Sequence, residues 1–191
     1  LKKLTNEFYR RDKVVEISKE LLGKIIYTKI NGSLCSGLIT ETEAYAGETD
    51  QASHAYNGRR TERTEVMYST GGISYVYLCY GIHSLFNIVT NQAGIPHAIL
   101  IRAIQPIEGI PEILKRRKKD KLLKNTCIGP GNVSQALSIN ISHNGIDLEG
   151  DEIWIEDHGI TYLEGQIKTG KRIGVEYAKK DALLPYRFWI W

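Results

Sequence analysis

In residues 74–87, Ser-Tyr-Val-Tyr-Leu-Cys-Tyr-Gly-Ile-His-Ser-Leu-Phe-Asn, the side chains alternate and then abruptly stop alternating. Tyr75, Tyr77 and Cys79 interleave with Val76, Leu78 and Tyr80, the period of a strand whose two faces meet different surroundings. Gly81 breaks the period. A turn at Tyr80 and Gly81 returns the chain as a second strand over residues 85–90 and leaves the Tyr80 ring at a projecting tip, a poor place for a core residue. Taken alone, a tyrosine-rich strand is equally what a half-buried scaffold strand looks like.

The flanking segments supply a scaffold for that hairpin. Val14, Val15, Ile17, Leu21 and Leu22 form an apolar helical stripe, with Asp12 as the expected cap and Gly23 as the stop. Residues 24–30 and 35–42 read as strands joined across Asn31 and Gly32, a pair that accepts the positive φ angles of a tight hairpin. Residues 97–104 are apolar enough for a buried strand, and a helix is expected from Gly109, with Pro111 in its first turn. Residues 129–137 resemble a loop opening a short helix, 152–156 a strand around Trp154, and 170–175 a basic strand or turn. The tail, residues 185–191, is too aromatic to hang free and is expected to pack back. No repeat or low-complexity linker interrupts these elements. With 191 residues, 42% apolar and 25% charged, the expectation is a single domain over 1–191. Its class is mixed α/β (α+β): a curved, largely antiparallel sheet, surrounding helices and a protruding β-hairpin.

Charge and cysteine usage narrow the function. The net charge of +3 is the small difference between 25 basic and 22 acidic residues, so only a local patch would attract an anionic partner. Six of the seven residues 115–121 are basic, the one such block; it reads as a polyanion contact or as a solvated helix face. Cys35, Cys79 and Cys127 are too far apart in sequence for a zinc motif or a disulfide framework, which points to a reducing, intracellular setting. There is no apolar run long enough to span a membrane and no secretory leader pattern.

Three groups of residues carry candidate chemistry. Glu41 and Glu43 share one face of a strand, and burial of either would raise its pKa toward general-base work; two exposed glutamates on an edge strand fit the same spacing. Arg59, Arg60 and Arg63, interleaved with Thr61 and Thr64, suit a phosphate grip and equally a solvated loop. Arg102 interrupts an apolar strand, where a guanidinium needs an acid or a site anion, and Glu43 is its natural partner. His54 has no second histidine or cysteine at ligand spacing, so no metal site is expected.

Several of these blocks, in this order, resemble the alkyladenine (3-methyladenine) DNA glycosylases of the mammalian type, which also have bacterial members. The blocks are Glu41-Thr42-Glu43-Ala44-Tyr45 with His54, residues 75–81 with Asn87, Leu100-Ile101-Arg102-Ala103, Gly129-Pro130-Gly131 with Gln135-Ala136-Leu137, and Arg172-Ile173-Gly174. The resemblance implies a compact monomeric glycosylase without a cofactor. It would act on duplex DNA carrying damaged purines such as 3-methyladenine, 7-methylguanine, hypoxanthine or etheno-adenine. It implies Glu43 as the base that activates water, Arg102 as a holder of that water, and Tyr80 as the wedge filling the gap left by a flipped base. Tyr45, His54 and Tyr77 would contact that base, and Asn87 would discriminate against the amino group of normal guanine. Arg59, Arg60, Arg63, Lys171 and Arg172 would meet the DNA backbone. Residues 61–64 depart from many relatives, which carry a proline and an asparagine there, and His83 and Leu85 vary from some.

Two rival classes remain open on sequence. A non-catalytic binder of damaged or single-stranded nucleic acid needs only Tyr80 and the basic block. A hydrolase of another glycoside would use Glu41 and Glu43 as an acid/base pair, but leaves the tyrosine tip and the arginines without a role.

Overall fold

The computed structural model of the chain describes residues 2–190; Leu1 and Trp191, the last residue of the aromatic tail, lie outside the described residues. Among the described residues nine strands make one antiparallel sheet: β1 (Lys2–Lys3), β2 (Ile25–Ile30), β3 (Ser33–Tyr45), β4 (Ser74–Cys79), β5 (His83–Thr90), β6 (His97–Glu108), β7 (Ile153–Asp157), β8 (Lys168–Gly170) and β9 (Arg187–Trp189). The main order is β1-β7-β2-β3-β6-β5-β4, and β9 joins β3 and β8 off that path. The helices are α1 (Asn6–Tyr9), α2 (Val14–Glu20), α3 (Ile110–Arg117) and α4 (Pro130–Ala136). Sheet and helices give the mixed α/β, largely antiparallel architecture expected from the pattern. No helix among the described residues is long and apolar enough to cross a membrane.

Asn31 and Gly32 turn with φ of 52° and 77°, so β2 and β3 pair as a tight hairpin from Ile30 and Ser33 outward. The N-terminal residue of α2 corrects one expectation. Lys13, not Asp12, occupies the cap position, and no side chain closes that helix end. Its stability comes instead from tertiary packing, since Val14, Ile17, Leu21 and Leu22 are all buried in the main core.

Strand β3 is longer than the sequence indicated, and its far half is not an edge. Over residues 33–38 it pairs with β2; over Glu41, Thr42 and Glu43 it pairs with β9 instead, while β6 runs along its other side from Ser36 to Tyr45. Both carboxylates therefore stand in the middle of the sheet, which removes the exposed edge-strand reading. Alternation then assigns the two faces. Thr42 bonds to Ser18 of α2 on the core side, so Glu41 and Glu43 point to the other. In β6, Ile99 and Ile101 enter the main core, while Ala98, Leu100 and Arg102 face a cavity.

The cavity face is covered by the chain between β3 and β4, an irregular stretch with three short 3-10 turns at Gly47–Thr49, Tyr56–Gly58 and Glu65–Tyr68. Ala55, Met67 and Tyr68 from it pack with Tyr75, Val89 and Ala98 in a second small core. A loop of that length on a compact domain is usually a binding element. The tail packs as expected over its described part: Phe188 is 1% exposed and belongs to the main core. Because β9 both fills the core and flanks Glu43, Phe188→Ala is expected to destabilise the fold by about 3–5 kcal/mol, read from urea denaturation midpoints.

Candidate active site

The register between β3 and β6 slips at the point where the charges meet. Glu41 is opposite Ala103 and Thr42 is opposite Ile101, so Arg102 is an extra residue with no partner across the ladder. Alternation along β6 already puts Arg102, with Ala98 and Leu100, on the face that Glu41 and Glu43 share, and the slip leaves it there without a partner across the ladder. The Arg102 Nε lies 3.2 Å from Glu41 Oε1 and 3.4 Å from Glu43 Oε1. All three are buried, and Glu43 is 0% exposed. Arg187 of β9 adds a second cation, its Nε 2.9 Å from Glu41 Oε1. Two acids and two guanidiniums thus neutralise one another inside the sheet. That balance is what lets the charges remain there.

Glu43 is held at both oxygens. The backbone N–H of Ile173 donates to Oε1 at 2.8 Å, and the Tyr45 hydroxyl donates to Oε2 at 2.8 Å. Burial raises the Glu43 pKa above the ordinary glutamate value; Arg102, the Ile173 N–H and the Tyr45 hydroxyl pull it back, and Glu41 pushes it up again. Tyr45 is itself held far above its usual pKa by burial and then by the Glu43 charge, so it stays a proton donor to the carboxylate.

Above this base opens a cavity of about 470 Å³. Tyr45, Arg102 and Ile173, each touching the Glu43 carboxylate, belong to its lining, so the acid lies one layer beneath. Its aromatic wall is His54, Tyr75 and Tyr77. The His54 ring stands edge-on to Tyr77 at 4.6 Å between centroids, and its Nδ1 is 2.8 Å from the Tyr75 hydroxyl. Burial, then the charges of Arg63 and Arg59, lower the His54 pKa to about 4, so its ring is neutral near pH 7. Asn87 also lines the cavity; its amide donates to the carbonyls of Tyr75 and Leu85, which fixes the side chain across the base of the hairpin.

Tyr80 sits at the hairpin tip, 93% exposed and with φ of 51°. A non-glycine residue in the left-handed region costs about 1–3 kcal/mol and is usually retained for function. Ile82 beside it is 74% exposed. The chain thus presents two apolar side chains on a narrow projection at the mouth of the cavity, which Tyr80 helps to line.

The expected backbone-gripping residues separate into three kinds. Arg59 and Lys171 are exposed. Arg60 pairs with Glu65 at 2.6 Å and lies over the Tyr68 ring, while Arg63 lies over Tyr77 and lines the cavity. Arg172 is a correction. Its guanidinium is 0% exposed, bonded to Asp50 (Nη2 to Oδ1, 2.8 Å), to the carbonyls of Ala44 and Asp181, and set between the rings of Tyr45 and Tyr186. In that position it ties the end of β3 to the loop carrying Ile173, and a phosphate does not reach it.

Four contributors had no role assigned from sequence. Ile173 acts through its backbone, which no side-chain pattern reports. Arg187 meets Glu41 only through β9 pairing. Asp50 is one acidic loop residue among many in sequence, and nothing local reports its partner 122 residues away. Tyr177, 64% exposed at the cavity rim with its hydroxyl donating to the Ala52 carbonyl, stands in a stretch without a motif.

The aromatic-walled cavity over a buried acid, beside a projecting ring, is that of a DNA glycosylase. The profile of the methylpurine-DNA glycosylase family matches residues 7–191. The chain belongs to that family. Similar proteins, each named "Putative 3-methyladenine DNA glycosylase", occur in Chlamydia felis (46% identical, covering 97% of this chain and 94% of the relative) and in Clostridium acetobutylicum (44%, covering 98% and 94%). A third, in Bacillus cytotoxicus, is 40% identical over 95% of this chain and 93% of its own length.

Two measurements check this geometry. Asp50→Ala leaves the Arg172 charge buried without its anion and is expected to cost about 3–5 kcal/mol in chemical denaturation. A histidine NMR titration is expected to place the His54 midpoint near about 4, well below the ordinary 6.5.

Proposed function

We propose that this glycosylase is monofunctional: it takes an alkylated or deaminated purine out of duplex DNA into the cavity and cleaves the N-glycosidic bond with water activated by Glu43. The observation that carries this reading is the position of Glu43, buried beneath the floor residues of an aromatic cleft whose mouth is flanked by the exposed Tyr80.

Extruding a base costs a few kcal/mol of stacking and pairing, least for damaged bases. Tyr80 offsets part of it by filling the vacated space, and Tyr45, His54 and Tyr77 return about 1–3 kcal/mol of stacking per base. A purine methylated at a ring nitrogen carries positive charge. It gains a cation–π term against these rings, and a neutral His54 does not repel it. Asn87, locked by the Tyr75 and Leu85 carbonyls, is placed to select against an exocyclic amino group.

In the reaction, water held by Arg102 attacks C1′ and gives up a proton to Glu43. The C–N bond breaks with its electron pair going to the purine, and the carboxylate faces the cationic sugar as that charge develops. A purine carrying a methyl-induced positive charge leaves as a neutral molecule without protonation, whereas neutral hypoxanthine or etheno-adenine leaves as an anion that takes its proton from solvent water. Among the described residues lining the cavity there is no lysine to form a Schiff base, consistent with hydrolysis to an abasic site and an uncut strand. Glu41 is spent on Arg102 and Arg187 and, unlike Glu43, is not bonded to Tyr45 and Ile173 of the cavity lining, so an acid/base pair of Glu41 and Glu43 is disfavoured. Arg59, Arg63 and Lys171, all exposed, and Arg60, whose pairing with Glu65 is at the surface, remain the phosphate contacts.

Single-turnover release of base from a duplex carrying one 3-methyladenine, hypoxanthine or etheno-adenine tests this. Glu43→Gln is expected to bind the duplex while losing about 10²–10⁴ of the rate. Equal release by both proteins removes Glu43 from the role, and tight binding by a parent that excises none of the three indicates a binder. The parent rate is expected to climb with pH through a midpoint above 4.5, because only the ionised Glu43 accepts a proton and burial raises its pKa. A rate independent of pH across that range would contradict the assignment.

A further inference from the structure

The basic block divides into two parts with different fates. Arg116 and Arg117, at the end of α3, turn inward: Arg116 donates to the Ala136 carbonyl at 3.0 Å, and Arg117 Nε donates to the Thr126 carbonyl at 2.9 Å. The second bond joins the two ends of the segment between them. Thr126 is further fixed by bonds to and from Leu123, so residues 118–125 form a closed loop of the Ω kind, anchored at its base. Every residue of that loop is exposed. Residues 118–124 hold four lysines against one aspartate, a net of +3, and among the described residues none of the four has a side-chain partner. Four unpaired cations on a tethered loop repel one another, and an anionic partner relieves that repulsion.

The return of this loop runs into the site. Ile104 donates to the Cys127 carbonyl, and Ile128 bridges Ala103, the neighbour of Arg102. Two residues on, Pro130 lines the cavity, and Gly131 lies against the hairpin, where an added Cβ would stand 3.1 Å from the Cβ of His83. Six residues separate Lys124 from Pro130, so its Cα lies at most ~21 Å from that of Pro130, or about twelve charges of duplex at one per ~1.7 Å.

We infer that residues 118–124 form a second DNA-contacting element, a basic loop that grips backbone phosphates flanking the lesion on the α4 side. DNA as the partner rests on the glycosylase reading; the contact itself is independent of excision. It bears on search and residence rather than on the chemical step, since counterion release acts on any duplex sequence.

The test measures binding to an undamaged duplex by fluorescence anisotropy across a salt series. Lys119, Lys121 and Lys124 are changed together to Gln and compared with the parent and with a charge-matched control in which the exposed Lys2, Lys13 and Lys29 are changed to Gln. Thermal unfolding confirms that each variant is folded. If all three loop lysines meet phosphates, the slope of log affinity against log salt falls by about 2.7 in the loop variant and stays near the parent's in the control. Between about 50 and about 200 mM salt, the parent then loses about forty-fold more affinity than the loop variant. A loop variant with the parent's slope overturns the inference, and so does a control that falls equally, because the effect would then be net charge. Excision by the parent, assayed separately, keeps the two ideas apart. Binding with a loop-dependent slope but no excision sinks the glycosidase chemistry alone; excision with no loop dependence sinks the loop alone.

Discussion

Arg102 is one guanidinium between two carboxylates, inside a sheet, with little water to share the charge. Burying any one of these groups alone would cost several kcal/mol, so the surrounding structure has to bring them together and keep them together. Much of the architecture near the site serves that requirement. Alternation along β6 puts Arg102 on the face of Glu41 and Glu43, and the register slip leaves it unpaired between them. The C-terminal strand β9 replaces β2 alongside β3 and delivers Arg187 to Glu41. The outcome leaves Glu43 different from Glu41, since Glu43 alone also receives the Tyr45 hydroxyl and the Ile173 N–H. One acid is structural. The other is poised against the cavity floor with its pKa raised by burial.

The Asp50–Arg172 pair extends the same logic from the sheet to the loops. Arg172 joins the end of β3 through the Ala44 carbonyl, the polar cover through Asp50, and the segment after β8 through its own backbone, so that Ile173 lands on Glu43. Three stretches distant in sequence are thereby held rigid around one carboxylate. Tyr80 is the counterpart: it has almost no contacts, is held in a strained conformation, and projects. The hairpin combines a fixed base with an exposed tip. Its base is buried by Tyr75, Val76 and Phe86, while its tip leaves the domain.

Much of this was legible in the chain. Period-2 alternation in residues 75–80 marked two faces, and those faces meet the main core through Val76 and the cavity through Tyr75 and Tyr77. Asn31 and Gly32 gave the turn, and the apolar run around Arg102 implied a buried acid for it. The helix cap at Asp12 misled because capping preference is weak beside the packing of an apolar stripe. The phosphate role of Arg172 misled for a related reason: a short basic run looks the same whether its side chains face water or an aspartate 122 residues away.

Local chemistry decided by itself several of the longer strands, where the two hairpins turned, and that an arginine in an apolar strand needed an acid or a site anion, because those outcomes depend on backbone sterics and on desolvation, which act over a few residues. The sequence order of several motifs also carried the family resemblance. Only the tertiary structure decided which of two similar glutamates would be held against the cavity, which basic residues would remain free, and that a backbone N–H from residue 173 would complete the site. Those outcomes depend on register, on a one-residue bulge and on contacts more than a hundred residues apart, and such contacts leave no periodic trace in the chain.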